Sequence, residues 1–268
     1  TCHKLDGFGV DGEPTSPGHK GARGDRNSPT SYNAALHIAQ FWDGRAGDVE
    51  EQAKGPVLNP VEMGMPSEDY VVTALKSVPG YEAAFKSVFG GDDPITFDNM
   101  AKAIGAFERG LVTPSPFDAY LKGDDAALTD AQKEGLDTFV NTGCASCHNG
   151  VVLGGNSYQK LGAVKAYETK DQGRMAHTKN EADLHFFKVP SLRNIAKTGP
   201  YFHDGSVATL EDAVKLMGAH QLGKDLSDDD VAKIVAFLES LTGEPNSEYI
   251  AMPELPESGP NTPKADPT

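Results

Sequence analysis

The sequence has few cysteines, a single tryptophan and no long apolar run. Only 3 of its 268 residues are cysteine, and this small odd number excludes the disulfide framework that stabilises many small secreted proteins. No run of about 18 consecutive apolar residues occurs, so the sequence predicts no membrane span. Hydrophobic residues make up 38% of the chain, which also contains 29 glycines and 18 prolines. This composition favours long loops and a core that side chains alone do not fill.

Basic residues are also scarce. Lysine and arginine number 24 against 39 aspartates and glutamates, which gives a net charge of −15. A surface of this charge disfavours nucleic acid and anionic membranes, and it attracts basic partners at low ionic strength. Taken by itself, the charge is better explained by solubility than by any one partner.

Apolar residues recur at helical spacing behind residues that commonly cap helices, and alternating strand patterns are scarce. The predicted helices follow the caps Ser67, Thr96, Thr129, Thr209 and Ser227. The first helix should run to about Lys76, and Gly243 is the predicted stop of the last. The sequence therefore predicts a mainly α protein.

Proline and glycine divide the chain into segments. Residues 1–31 have the composition of a loop, and Pro114 and Pro116 predict a break near residues 112–118. We therefore expect an N-terminal domain over residues 1–112 and a C-terminal domain over residues 113–245. The Pro-rich, polar tail of residues 246–268 should be extended and pack back across the first domain.

The segment Cys144-Ala145-Ser146-Cys147-His148 is a complete C-x-x-C-H motif. Its spacing suits covalent haem, because two thiols add to the two vinyl groups and the adjacent histidine reaches the iron from one face. The alternatives are a redox C-x-x-C pair or half of a zinc site. No second cysteine pair accompanies the motif, so zinc is poorly supported.

The third cysteine, Cys2, is followed directly by His3. A Cys-His pair alone carries little information, but here it matches the last two positions of the same haem motif. We infer a motif cut through its middle, whose first cysteine lies two positions before Thr1. This inference removes the odd cysteine count and predicts two haem modules.

Each haem iron has a second axial position, and the ligand there sets the chemistry. Methionine raises the reduction potential, histidine lowers it, and an open position permits reaction. In the second half of the chain Met175 and Met217 are both candidates. Either can equally be an ordinary core methionine, so position alone leaves the ligand open.

Several blocks of the sequence resemble bacterial di-haem cytochrome c peroxidases, and the related MauG-type enzymes share much of the pattern. The blocks occur in the family's order between Thr1 and about Gly243. They are FWDGR at residues 41–45, Gly55-Pro56, Val61-Glu62-Met63, PSLRN at 190–194, GPYFHDG at 199–205, Met217-Gly218 and QLG at 221–223. The resemblance implies two cytochrome c-like haem domains with long loops.

The resemblance also implies roles for the haem-binding residues. Cys2 and His3 would hold the N-terminal, peroxidatic haem, with His3 as its proximal ligand. The C-terminal, electron-accepting haem would be held by Cys144, Cys147 and the proximal ligand His148. Met217 would be the distal ligand of this haem. MauG-type enzymes are similar but place a tyrosine there, so methionine favours a peroxidase, and Met175 remains the minor alternative.

The family pattern places the reaction at the N-terminal haem. Glu62 matches the acid–base residue that moves a proton between the peroxide oxygens, and Gln52 matches its hydrogen-bonding companion. Trp42 matches a tryptophan between the two haems, an expected electron relay. In many members a histidine at the position of His19 caps the peroxidatic iron until the other haem is reduced, and its glycine-rich loop could move. From sequence alone these polar residues could equally be solvated, and Trp42 an ordinary core aromatic.

The resemblance further implies a calcium ion at the boundary between the haems, a site that sequence reasoning alone would not find. Asn27 would supply a side-chain oxygen, and Thr198 and Pro200 backbone carbonyls, which are ligands that calcium accepts. The other histidines that we singled out are expected to be surface residues or satisfied core residues. They are His37, His177, His185 and His220.

The predicted function is reduction of hydrogen peroxide to water by electrons from a c-type cytochrome or a cupredoxin. Family members are commonly homodimers, and the haem chemistry predicts a periplasmic location. Two alternatives remain. One is a MauG-like oxidase that modifies a partner protein, and the other is a di-haem electron carrier without turnover. Glu62, Gln52 and the loop of His19 argue against a carrier, because a carrier needs no acid–base pair.

Overall fold

The computed structural model describes residues 2–264 and residue 266, and over these residues the chain is mainly helical. Thr1, where the cut motif was inferred, lies outside the described residues, as do residues 265, 267 and 268 of the predicted tail. The helices are α1 (Val49–Leu58), α2 (Glu68–Lys76), α3 (Tyr81–Phe89), α4 (Phe97–Arg109), α5 (Pro116–Leu121), α6 (Asp130–Thr142), α7 (Met175–Thr178), α8 (Leu210–Met217) and α9 (Asp228–Glu239).

The five predicted caps all start helices. In each case the cap side chain accepts a hydrogen bond from the backbone N–H three residues later, which satisfies a donor that the helix leaves free. The caps are Ser67 of α2, Thr96 of α4, Thr129 of α6, Thr209 of α8 and Ser227 of α9. At α6 the side chain of Gln132 also accepts from the N–H of Thr129 at 3.0 Å, which completes a capping box.

The predicted stop of α9 at Gly243 is wrong, because the helix ends at Glu239. After Glu239 the chain forms hydrogen bonds with Asn194, a residue distant in the sequence, instead of continuing the helix. Asn194 donates its backbone N–H to the carbonyl of Leu241 at 3.0 Å, and its side-chain oxygen accepts from the N–H of Gly243 at 3.0 Å. Tertiary hydrogen bonds therefore set this helix end.

Two prolines belong to helices. Pro116 is the first residue of α5, where the missing N–H costs no hydrogen bond, so it starts a helix rather than breaking the chain. Pro56 lies inside α1, a helix that the Gly55-Pro56 pair concealed. The side chain of Asp48 caps α1 by accepting from the N–H of Glu51 at 2.8 Å.

Two hydrophobic clusters form the core. The N-terminal cluster joins α1, α2 and α4 and is built on Val57, Val71, Phe97 and Met100. The C-terminal cluster joins α5, α6, α8 and α9 around Phe237, whose ring centroid lies 5.3 Å from that of Phe117 and 5.2 Å from that of Phe139. Each cluster packs helices of one half of the chain, in agreement with two cytochrome c-like domains.

A buried polar group joins the two halves. The hydroxyl of Thr113 accepts from the side-chain amides of Asn33 at 2.9 Å and of Asn194 at 2.8 Å. Its backbone N–H donates to the Asn33 side-chain oxygen at 3.2 Å. Thr113 and Asn194 are completely buried, and Asn33 is 3% exposed. Because such groups are costly to bury unless they are paired, this network holds the halves in one arrangement.

A short antiparallel sheet carries residues toward the same junction. It pairs β1 (Tyr158–Lys160) with β2 (Phe186–Lys188), in the register Tyr158 opposite Lys188. Both Phe187 and Lys188 are buried, and the backbone N–H of Lys188 donates to the carbonyl of Trp42 at 2.8 Å. The sheet thereby brings a lysine of the C-terminal half beside the only tryptophan.

The described part of the tail lies along the N-terminal helices. Tyr249 stacks on Phe107 of α4 with ring centroids 5.1 Å apart, and its hydroxyl donates to the Phe107 carbonyl at 2.8 Å. Farther along, the hydroxyl of Thr262 donates to the Ser77 carbonyl at 3.1 Å. Among the described residues, no helix combines the length and apolar character needed to cross a bilayer.

Candidate haem sites

The C-x-x-C-H segment lies on the wall of a cavity of about 260 Å³. Helix α6 ends at Thr142 and is capped by Gly143, whose φ of 107° turns the chain back. The N–H groups of Cys147 and His148 then donate to the carbonyl of Cys144 at 3.2 and 3.0 Å. This tight turn places both thiols and the imidazole on the same cavity. The rest of the wall is largely apolar and includes Phe139, Leu192, Val214, Ile234 and Leu238.

The ring of His148 is held in the orientation of a metal ligand. Its Nδ1 lies 3.4 Å from the carbonyl oxygen of Leu153, which leaves Nε2 as the other ring nitrogen. Burial lowers the pKa of His148 and so favours the neutral form. A neutral imidazole whose Nδ1–H bonds a backbone carbonyl is the usual state of an iron-ligating histidine. The cavity, the thiols and this ring therefore fit a covalently bound haem.

Met217 lies on the same cavity as His148, at the C-terminal end of α8. The turn that follows it is fixed by Gln221, whose side-chain oxygen accepts from the N–H groups of Gly162 at 2.7 Å and Ala163 at 3.0 Å. Met175 begins the separate helix α7 and does not line this cavity. Of the two methionines, only Met217 faces the cavity that carries the C-x-x-C-H segment.

Cys2 and His3 repeat part of this arrangement at the other end of the chain. The Nδ1 of His3 lies 3.2 Å from the carbonyl oxygen of Gly9, just as His148 meets Leu153. His3 is exposed and Cys2 is half-buried. The N-terminal pair thus shares the contact between a ring nitrogen and a backbone carbonyl, and it lies on a more open face than the C-terminal motif.

The carboxylate of Glu62 has a fixed position in the loop after α1. The side-chain amide of Asn59 donates to Glu62 Oε1 at 2.7 Å, and the backbone N–H of Glu62 donates to the Asn59 carbonyl at 2.9 Å. Gln52 is half-buried on α1, and among the described residues no hydrogen bond joins it to Glu62. The structure therefore orients the predicted acid–base residue through Asn59, which the sequence did not single out.

The loop of His19 closes onto the loop of Glu62. The backbone N–H of His19 donates to the Glu62 carbonyl at 2.6 Å. The imidazole packs on Gly64, where an added Cβ would lie 2.9 Å from the ring Cδ2 and where φ is +67°. Both features require glycine at position 64. The structure thus brings His19 and Glu62 together, although they are 43 residues apart in the chain.

Trp42 lies where the two halves meet. Its indole N–H donates to the carbonyl of Asn27 at 2.9 Å, and its own carbonyl accepts from the N–H of Lys188 at 2.8 Å. Its side chain lines the cavity that also contains Cys144 and His148. The N-terminal half therefore contributes Trp42 to the lining of the C-terminal cavity.

Asn27, Thr198 and Pro200 line this same cavity. The side-chain amide of Asn27 donates to the carbonyls of Glu13 at 3.1 Å and Pro14 at 3.3 Å, so its oxygen is left for another partner. Among the described residues, no backbone N–H donates to the carbonyl of Thr198 or Pro200. These three neutral oxygens, which lie on one cavity and accept no hydrogen bond from the described residues, are of the type that calcium binds. Over the same part of the chain, no cluster of three His, Cys, Asp or Glu side chains suits a metal.

Arg26, which precedes Asn27, forms hydrogen-bonded ion pairs that connect the N-terminal half to the C-terminal half. Its guanidinium donates to Asp171 at 2.7 and 2.9 Å and to Asp43 at 2.7 Å. Burial opposes the charge of Arg26, but these two hydrogen-bonded carboxylates raise its pKa overall. Such a bidentate pair restricts geometry as well as adding energy. It fixes the backbone next to Asn27.

Two further residues of the cavity were not predicted to matter. His37 was expected to be a surface residue or a satisfied core residue, and this is wrong, because its enclosed Nε2 has no hydrogen-bond partner among the described residues. Lys188 was not considered, yet it is buried beside His37, with its Nζ 2.9 Å from His37 Nδ1. The one signal in the sequence was a lysine isolated within the apolar stretch Phe186-Phe187-Lys188-Val189.

Two protein-family models match this chain, one in each half. The model for di-haem cytochrome c peroxidase matches residues 1–126. The model for cytochrome c matches residues 132–242. These ranges contain, respectively, Cys2 and His3, and the complete C-x-x-C-H motif.

Similar curated proteins extend over nearly the whole chain. The cytochrome c551 peroxidase of Pseudomonas aeruginosa is 51% identical over 272 residues, covering 98% of this chain and 78% of that protein. The cytochrome c551 peroxidase of Nitrosomonas europaea is 49% identical over 270 residues, covering 100% of this chain and 80% of that protein. The methylamine utilization protein MauG of Methylorubrum extorquens is more distant, at 35% identity and 75% of its length.

Solved structures with the same fold include a MauG-like protein associated with microbial copper homeostasis. It superposes with a TM-score of 0.81 at 29% identity, covering 93% of this chain and 84% of that one. The diheme peroxidase BthA from Burkholderia thailandensis superposes with a TM-score of 0.76 at 22% identity, covering 98% of this chain and 84% of that one. The second likeness concerns the fold alone.

Proposed function

Since the chain belongs to the di-haem cytochrome c peroxidase family, we propose that it reduces hydrogen peroxide to water with electrons from a small redox protein. The observation that carries this proposal is the identity of about half of all residues with two proteins named cytochrome c551 peroxidase. MauG proteins are more distant, at 35% identity or less. The chain is accordingly an oxidoreductase with two covalently attached haems.

Electrons enter at the C-terminal cavity in this proposal. Cys144 and Cys147 would attach a haem there, and His148 and Met217, which line the same cavity, would be the ligands of its iron. When bound, the two haems supply iron that takes up electrons one at a time and, at the N-terminal site, binds peroxide. A methionine ligand favours a high potential, which suits acceptance of electrons from a donor protein. Trp42 lies between the halves and relays the electron.

Proton transfer is assigned to Glu62. Its carboxylate takes the proton from one peroxide oxygen and delivers it to the oxygen that leaves as water, a task for one base within hydrogen-bond reach of both. Asn59 holds that carboxylate in place through the bond to Oε1. Gln52, half-buried on the neighbouring helix, assists by hydrogen bonding. His3 would hold the iron of this site.

Access to the N-terminal site is assigned to the loop of His19. The closed arrangement includes a backbone hydrogen bond from His19 to Glu62, the packing of the imidazole against Gly64, and the close approach of Gly18 to Val61. Loss of these few contacts would free the loop, and lids that open in this way commonly control substrate entry. We therefore assign His19 the role of a cap over the N-terminal iron. The cap would open when the C-terminal haem is reduced. Equal activity of the fully oxidised and half-reduced enzyme would contradict this role.

A calcium ion is assigned to Asn27, Thr198 and Pro200. The free oxygens of these residues support the site, and the indole of Trp42 donates to the carbonyl of Asn27. Bound calcium would therefore stiffen the segment that positions the tryptophan. We expect Asn27→Ala to weaken calcium binding at least tenfold in calorimetric titration of the chelator-treated holoenzyme. Unchanged affinity would exclude Asn27 as a ligand.

The remaining assignments concern the setting of the enzyme. The donor is a c-type cytochrome or a cupredoxin, and a surface with a net charge of −15 would attract a basic one. We also assign a homodimeric state and a periplasmic location. Sedimentation of the holoenzyme tests the first, and fractionation of the source cells tests the second.

The proposal is tested by adding peroxide to the holoenzyme, with its high-potential haem already reduced, and following the oxidation of a reduced c-type cytochrome. We expect rapid, peroxide-dependent turnover. A haem stain and intact mass should report two haems in the same sample. Absence of turnover with both haems present, and with a cupredoxin donor also inactive, would favour a MauG-like oxidase or an electron carrier.

A further inference from the structure

Lys188 is a buried cation without an anionic partner. It ends β2, is 7% exposed, and lies between the buried residues Phe187 and Val189. Within the described part of the chain, its ammonium group forms no ion pair with a carboxylate, and its one side-chain partner is His37. A buried charge of this kind is strongly unfavourable unless an anion compensates it.

His37 adds a second unused donor. An ammonium group only donates hydrogen bonds, so the 2.9 Å contact makes His37 Nδ1 the acceptor. The proton of the neutral ring must then lie on Nε2, which has no partner among the described residues. Burial and the charge of Lys188 lower the pKa of His37 to about 3, in agreement with a neutral ring. The pair thus presents N–H donors and one positive charge.

The pair is built into the junction between the halves. Gly155 lies close to the His37 ring, so that a Cβ added at this glycine would lie 2.5 Å from Cδ2. The neighbouring N–H of Ile38 donates to the Gly155 carbonyl at 2.8 Å. The backbone of Lys188 is bonded to Trp42. Both side chains are therefore preorganised, and both line the cavity that contains Cys144 and His148.

We propose that Lys188 and His37 together bind a carboxylate side group of the haem held by Cys144, Cys147 and His148. This inference rests on the proposed function, which places a haem in that cavity. A carboxylate supplies the missing negative charge and two acceptor oxygens for the two donors. Lys188 is then a positioning residue that also sets the potential of this haem, because a nearby cation favours the ferrous iron over the more positive ferric iron.

The test is a redox titration of both haems in Lys188→Met holoenzyme, which replaces the cation with a neutral side chain of similar length. We expect the potential of the C-terminal haem to fall, with the reduction equilibrium constant about tenfold smaller, or 59 mV for one electron. His37→Leu removes the second donor and should lower the same potential by less. Lys197→Met removes an exposed lysine of the same half and should leave it unchanged.

The haem content of each variant separates this inference from the proposed function. Fewer than two haems in the unmutated protein would overturn the function itself. With two haems present, unchanged potentials in both Lys188→Met and His37→Leu would overturn the carboxylate site. A shift confined to the N-terminal haem would also overturn it, since the pair would then serve the other cofactor.

Discussion

Replacing Glu62 by glutamine should lower peroxide turnover by about 10²- to 10⁴-fold, the usual contribution of a positioned acid–base group. Glutamine keeps the size of the side chain and can still accept the hydrogen bond from Asn59 at its carbonyl oxygen. It cannot take the proton from one peroxide oxygen and return it to the other. The loss should therefore appear in the turnover number measured with saturating reduced donor, with both haems still attached.

The matched control for this substitution is Glu82→Gln, which alters an exposed carboxylate in the first turn of α3. It removes the same charge from the same half of the protein and should leave turnover within twofold. Haem content and both reduction potentials should be unchanged in either variant. If Glu62→Gln retains near-normal turnover, Glu62 is not the proton carrier. The loop of His19 would then be the next place to look for that carrier.

Replacing Met217 by histidine should lower the potential of the C-terminal haem by about 100 mV or more. The axial ligand adjusts haem potentials over a range of about 0.8 V, and imidazole stabilises ferric iron more than a thioether does. Reduction by a high-potential donor should then become unfavourable, so that turnover falls with Glu62 intact. Spectroelectrochemistry measures the shift, and the ferric spectrum should lose its sulfur-ligand band.

Met175→His provides the comparison, because Met175 was the other candidate ligand and lies on α7 away from the cavity. This variant should keep the potential and the sulfur-ligand band. The opposite pattern would be an unchanged potential in Met217→His and a fall in Met175→His. It would identify Met175 as the ligand of the C-terminal haem iron. It would also mean that α8 moves away from the position described here.

Local signals in the sequence predicted most of the fold. Each cap, such as Thr129 of α6, bonds an N–H only three residues away, so the short segment around it contains the whole interaction. The haem motif is equally local. The end of α9 was missed because Asn194, far away in the chain, captures Leu241 and Gly243. Helix α1 was missed because Gly55 and Pro56 oppose helix formation locally, while packing against α4 favours it.

The candidate site divides in the same way. Cys144, Cys147 and His148 are predicted from spacing. Met217 was one of two candidate methionines until the resemblance to a family favoured it, and Glu62 was proposed only through that resemblance. His37 and Lys188 were missed by both routes. Their contact joins residues 151 positions apart, and neither residue type is unusual until burial removes it from water. That these donors are buried and, among the described residues, lack an anionic acceptor can be recognised only from the three-dimensional structure, in which the two halves enclose them.

The shared orientation of His3 and His148 has a consequence for how the two halves divide the work. Each imidazole turns Nδ1 toward a backbone carbonyl, of Gly9 in one half and Leu153 in the other. A backbone carbonyl can polarise both rings in the same manner, but His3 is exposed whereas burial lowers the pKa of His148. In the proposed function the two halves would also differ on the opposite faces, where one half would place the thioether of Met217 and the other the carboxylate of Glu62 beside the loop of His19. The two halves would then share one kind of histidine ligand and differ both in its burial and in the side chain on the opposite face.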